Sequence, residues 1–202
     1  MRTFIDGENF RHRVVEVLLE AGLIGSSEQP FEFDIRTLID GAIGRPVQEI
    51  NYYTSHVQVP NFDIPDELRE RIESIRQTSE YWTAGLAKRQ VQVIEGGNLK
   101  VHTSARCIHC HKTTQVLQEK GVDVRLATDM VLAATLEEMD EIVVASSDTD
   151  MLPALDVAKR ANTKVVYLHF EDDLNHAIAA MADETIAYTR QHIIDCFNSQ
   201  NS

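Results

Sequence analysis

Apolar residues along the chain fall into two patterns: short continuous runs, and longer stretches in which they recur every three or four positions. Thr3-Phe4-Ile5, Val47 to Thr54, Val91 to Ile94, Glu141 to Ala145 and Lys164 to Phe170 have the length and the β-branched or aromatic content of strands. Between them, Val14, Val17, Leu18 and Ala21 predict a helix from about Arg11 to Ala21, stopped by Gly22. A short helix is predicted around Ile35 to Ile43, ended by Gly44. The stripe Leu68, Ile72, Ile75, Trp82 predicts a long helix opening near Pro65. Further helices are predicted at about Val124 to Glu138, Met151 to Ala161, Leu174 to Met181 and Ile186 to Phe197. Strands alternating with helices in this way predict an α/β fold whose mostly parallel sheet is covered on both faces. The stretch from about Glu95 to Gln118 follows neither period and reads as an excursion on the rim.

At 202 residues and 43% apolar content, the chain fills one domain, taken as residues 1–202. The net charge of −13 argues against a general nucleic-acid coat, since nonspecific affinity comes mainly from Lys and Arg on phosphates, but it leaves room for a local site. Three cysteines make no disulfide framework and fit a reducing compartment. The N-terminus lacks the basic start and apolar stretch of a secretory signal, and no segment has transmembrane length. The expectation is a cytoplasmic protein without a membrane partner. A homo-oligomer is compatible with the sequence, but nothing indicates one.

Candidate chemistry gathers where apolar runs end. Ile142-Val143-Val144-Ala145 reads as a strand buried on both faces and runs into Ser146-Ser147-Asp148-Thr149-Asp150; Thr3-Phe4-Ile5 runs into Asp6-Gly7-Glu8-Asn9. Carboxylates are thus delivered to the carboxyl edge of the sheet, where α/β proteins bind their ligands. Like charges at close quarters repel unless a hard divalent cation lies between them, and Mg²⁺ or Mn²⁺ is the natural choice. Asp129 lies in the helix before the buried strand. Asp123, at that helix's start, serves equally well as a cap for free backbone N–H groups.

Three pieces carry a resemblance to the NYN family, the PIN-like ribonuclease domains that include LabA-like proteins: Phe4 to Asn9, Glu119 to Asp129, and Val144 to Asp150. Leu174 with Ala182-Asp183 resembles the family's ending. The resemblance implies a PIN-like three-layer α/β/α fold. It implies a metal-dependent endoribonuclease in which Asp6, Asp129, Asp148 and Asp150 bind metal, Asp123 is an additional acid and Asn9 positions substrate or water. Ser146, Ser147 and Lys120 are then candidate phosphate contacts, and the implied partner is RNA. Two departures stand out: Ser147 occupies a position where the family usually has glycine, and Glu95 to Gln118 matches no part of the pattern. The alternatives are a non-catalytic RNA-binding or regulatory NYN module and, less directly, a phosphoesterase for small molecules.

His102 and Cys107-Ile108-His109-Cys110-His111 form a separate cluster. Cys107 and Cys110 have the pair spacing of a zinc knuckle, and His102, His109 or His111 would complete a structural Zn²⁺ site. The C-x-x-C-H spacing is also that of covalent haem attachment, which belongs outside the cytoplasm. A polar rim loop with free thiols reads as well as zinc. Cys196, on the last helix, is read as a small buried residue.

Overall fold

The computed structural model describes residues 1–27, 29–104, 108–137 and 139–200. Seven strands form one sheet: β1 (Arg2–Asp6), β2 (Glu49–Val57), β3 (Gln92–Thr103), β4 (Gln115–Lys120), β5 (Glu141–Ala145), β6 (Lys164–Phe170) and β7 (Glu184–Tyr188), in the order β4-β3-β2-β1-β5-β6-β7. All neighbours run parallel except β3 and β4. The helices are α1 (Gly7–Glu20), α2 (Ile35–Ile43), α3 (Asp66–Lys88), α4 (Val122–Thr135), α5 (Leu152–Arg160), α6 (His176–Met181) and α7 (Arg190–Gln200).

Because side chains alternate across a strand, the sheet feeds two cores. Ile5, Tyr52, Val143 and Leu168 point to the layer of α1, α2, α7 and the C-terminal half of α3. Phe4, Tyr53, Val144 and Tyr167 point to the layer of α4, α5 and α6. The architecture is the expected three-layer α/β/α sandwich. The chain winds outward from β1 through β4, then returns beneath the sheet by α4 to β5 on the other side of β1. The winding therefore reverses at β1/β5, and the crevice this leaves lies at their carboxyl ends.

Two elements correct the sequence reading. The rim excursion is a β-hairpin: β3 continues past Ile94 to Thr103, with a bulge opposite Thr54 and Ser55, and β4 returns antiparallel, pairing Asn98 with Lys120 and Thr103 with Gln115. The hairpin lies at the sheet's edge and buries almost nothing, so it lacks the apolar alternation that marks a strand. The second is β7, which begins the segment read as the last helix. It too is an edge strand, with only Tyr188 buried, and α7 starts after Thr189, whose hydroxyl accepts the His192 N–H at 3.2 Å.

Gly7 opens α1 directly behind β1. A Cβ there would lie 2.3 Å from the Tyr53 carbonyl oxygen and 2.4 Å from the Tyr52 ring, so the helix sits this close to β2 only because the position has no side chain. The Tyr52 hydroxyl seals the contact by donating to the Gly7 carbonyl at 2.6 Å. Gly7→Ala is expected to cost about 3 kcal/mol, the upper range for overpacking, or to prevent folding. Urea unfolding checks this, and an unchanged midpoint would mean that α1 can move off the sheet freely.

Candidate active site

Asp6 ends β1 and turns back to cap α1: its Oδ1 accepts the Asn9 backbone N–H at 3.3 Å, and its Oδ2 accepts the Asn9 side-chain amide. On the neighbouring strand, Ser146 follows the last residue of β5 and links the two ends. Its hydroxyl donates to Asp6 Oδ2 at 3.3 Å and accepts the Asp148 N–H at 3.1 Å. Asp148 caps a single 3-10 turn (Thr149–Met151), its Oδ1 accepting the Asp150 N–H at 2.8 Å. Asn175, the cap of α6, steadies this loop by donating its side-chain N–H to the Ser147 carbonyl at 2.7 Å. Ser147 itself is half-buried.

The electrostatics join Asp123 to this group. Burial pushes the Asp6 carboxyl above the usual carboxylate range; the hydrogen bonds from Asn9 and Ser146 oppose the shift, and the charge on Asp123 adds to it. Asp123 is itself raised, first by burial and then by the charges of Asp148 and Asp150. Glu119, near the end of β4, is also raised. Burial dominates there, a hydrogen bond from Ser55 opposes, and Glu8, Asp6 and Asp123 contribute repulsion. Among the described residues, none of the ion pairs reaches Asp6, Glu8, Glu119, Asp123, Asp148 or Asp150.

Asp129 differs from these acids in having an ion-pair partner. Both of its carboxylate oxygens accept from Arg125 Nε, at 3.0 and 2.9 Å, and Oδ2 also accepts the Tyr53 hydroxyl at 3.1 Å. Its carboxylate is met by a cation and a phenol. Lys120 is exposed on β4. Asp183 ties β6 to α5, accepting from the Val165 N–H at 2.9 Å and from Lys159 at 2.7 Å. Glu8, Glu119, Tyr53 and Asn175 were not foreseen as part of the neighbourhood. Glu8 and Glu119 lie within the motifs quoted above, and the signal for them is position at a strand end, Glu8 directly after Gly7 and Glu119 two residues before Gly121.

The donor set suits a hard cation, since it consists of carboxylates and amides without sulfur or imidazole. Among the described residues, no three His, Cys, Asp or Glu side chains stand close enough together to grip an ion directly. Mg²⁺ tolerates this arrangement, because it keeps several of its waters and binds through one or two carboxylates together with a substrate phosphate. At the hairpin tip, His109, Cys110 and His111 are exposed, and Cys110 is a free thiol. Cys107 lies outside the described residues, and with it the candidate zinc site. Cys196 is buried, as expected.

The NYN domain model matches residues 2–189. The chain belongs to the NYN domain family. That family falls within the PIN-like nuclease superfamily, which is consistent with the sheet order and with acids at the ends of β1 and β5. No curated protein matches the sequence. Among solved structures, a protein of unknown function from Vibrio parahaemolyticus is similar at 17% identity and a TM-score of 0.46, over 92% of this NYN chain and 90% of that one. No described helix is long and apolar enough to cross a membrane.

The raised acids make a pH prediction. An acid whose pKa is higher in the folded than in the unfolded chain is one the fold prefers protonated, so stability falls as pH rises from the unfolded pKa through the folded one. Asp123→Asn removes that loss without removing a hydrogen bond. The metal-free variant is expected to be more stable than the wild type at pH 7, with the advantage vanishing as the pH falls below the ordinary aspartate value of 3.8. Urea titrations in EDTA at both pH values measure it; equal stability at pH 7 would show that Asp123 is not held against other charges.

Proposed function

We propose that this NYN domain is a metal-dependent endoribonuclease that hydrolyses phosphodiester bonds at the carboxyl ends of β1 and β5. The observation that carries the reading is the set of acids left without a cation at the point where the winding of the sheet reverses, in a chain whose other carboxylates pair widely with Lys and Arg. Uncompensated carboxylates lower stability, and the cost is understandable if the site exists to recruit positive charge.

Asp6 and Asp148 would hold Mg²⁺ or Mn²⁺ from the two strand ends, with Asp150 and Asp123 completing the field around it. A bound divalent cation supplies activation of a water near neutral pH and neutralises the charge of the phosphodiester. The chain's own residues do the rest. The Ser146 hydroxyl spans Asp6 and the Asp148 backbone, holding the spacing of the two carboxylates. Asn9 gives its side-chain N–H to Asp6, which leaves its amide oxygen to orient a water or a ribose hydroxyl. Ser147 and Lys120 stand at the rim as further phosphate contacts. Asp129 has a positioning part, keeping α4 against β2 through Tyr53. This last assignment departs from what the family resemblance implies, and it is made because Arg125 already neutralises that carboxylate.

The expected behaviour is internal cleavage of single-stranded RNA in Mn²⁺ and none in EDTA. Asp148→Asn should lower the rate by about two orders of magnitude, within the range lost when a group stabilising transition-state charge is removed. Asp129→Asn should lower it by less than about tenfold. Proteins prepared identically and assayed on one labelled RNA provide the comparison. Equal cleavage by wild type and Asp148→Asn would identify a contaminating nuclease, and silence of the wild type across several RNAs would favour a non-catalytic RNA-binding module.

A further inference from the structure

A groove separate from the metal-binding acids runs between α1, α3 and the β3–β4 hairpin, and at one end it reaches Glu8 and Glu119, the outermost members of the acidic group. Its other notable features are two arginines, Arg11 on α1 and Arg71 on α3, and the ring of Trp82. Every other described arginine is held by a carboxylate or by two or more hydrogen bonds to backbone carbonyls. Among the described residues, no carboxylate lies within ion-pair distance of Arg11 or Arg71. In a chain with 32 acidic and 19 basic residues, two guanidinium groups in one groove without a carboxylate partner among the described residues call for an explanation.

The local packing sharpens the point. Arg11 lies over the Trp82 ring, 5.8 Å from its centroid, and its one hydrogen bond is a long one, from Nη2 to the Ser27 carbonyl at 3.4 Å. Arg11 Nε is sealed from water without an acceptor at hydrogen-bond geometry, and Trp82, only 4% exposed, has its Nε1 turned to the Tyr52 hydroxyl. Across the groove, Ile75, Leu99 and Leu117 offer an apolar surface.

We propose that this groove binds one nucleotide of the single strand whose neighbouring phosphate enters the acidic site, with Arg11 and Arg71 on its phosphate and the Ile75, Leu99 and Leu117 wall against its sugar and base. The assignment rests on the nuclease reading for its placement, and on the unpaired arginines for its chemistry. A phosphodiester supplies the anionic oxygens that guanidinium groups match in geometry, and an unstacked base supplies the flat apolar face. A base paired in a duplex cannot turn that face to the wall, so the groove selects single strands. Strand binding by a strongly acidic protein follows, because the attraction is local and does not depend on net charge.

Trp82 is the chain's only tryptophan, so its emission reports on the groove independently of cleavage. The experiment titrates the full-length protein with a ten-nucleotide oligouridylate in Ca²⁺ buffer, following Trp82 emission, with the anisotropy of a fluorescein-labelled copy in parallel. A saturable change in emission is expected at the same Kd as the anisotropy. Arg71→Gln should weaken binding by about tenfold and reduce the slope of log K against log salt by about 0.7, the contribution of one phosphate contact on a single strand. Arg11→Gln should do the same, but because Arg11 packs on Trp82, the exposed Arg71 is the decisive variant; its thermal midpoint should match the wild type. Oligonucleotide binding without a change in Trp82 emission would overturn the subsite, as would an unchanged Kd in Arg71→Gln or an equal response to duplex RNA. Cleavage in Mn²⁺ with a silent Trp82 removes the subsite alone, whereas a Trp82 response without cleavage removes the nuclease reading and leaves the subsite standing.

Discussion

Parallel pairing of β1 with strands on both sides governs where everything else in this protein can go. Its residues are matched to β2 from Arg2 to Asp6 and to β5 from Arg2 to Ile5, and Phe4 and Ile5 are sealed into opposite cores. Sliding either neighbour by one residue would exchange the two faces, so the register is strongly determined. Once it is set, Asp6 and the Ser146 loop must emerge side by side at one edge. The same pairing brings α1 down onto β2, where Gly7 and Tyr52 lock its first turn. The acidic group is thus a consequence of the most buried part of the molecule, which is how it can persist in spite of its own repulsion.

Strands buried on both faces are plain in the sequence because a continuous apolar run has few other readings. β1, β5 and β6 are of this kind, and so are the acids that follow the first two. Helices α2 and α3 are legible for a similar reason, through their capping residues and apolar stripes. The hairpin and β7 are hidden because edge strands bury little and so carry no period. The ordering of the acids is only partly legible. Asp123 and Asp129 lie six positions apart on α4, and helix spacing alone gives Arg125 to Asp129, four positions on, but does not say how far that carboxylate is drawn toward the sheet. That depends on Tyr53 reaching across from β2 and on the rotation of α4, which the close packing of Gly96 against Arg125 helps to set.

Charge in this protein is distributed rather than merely abundant. Cations are used up along the sheet's amino edge and the helix exteriors, for example by Glu141 held between Arg45 and Lys164, with its pKa lowered by them against the opposing effect of burial. What remains is an acidic crevice beside a groove holding two arginines that have no carboxylate partner among the described residues. On the proposed nuclease reading, adjacent fields of opposite sign favour a ligand that brings both an anion and its counter-cation, as a metal-bound polyanion does.

The hairpin joins two regions that obey different rules. At its base, Lys120 and Gly121 turn the chain from β4 into α4 through a left-handed glycine, φ 101°, so Glu119 and Asp123 are carried by one rigid corner. At its far end, beyond the Ser104–Thr114 hydrogen bonds, residues 108–113 are exposed. Insertions or deletions at the tip leave the base pairing intact, whereas a one-residue slip within β4 would turn Glu119 to the opposite side of the sheet. The hairpin is accordingly a place where descendants of this fold can acquire new appendages without disturbing the acids, a division between a heritable frame and a freely variable extension within a single pair of strands.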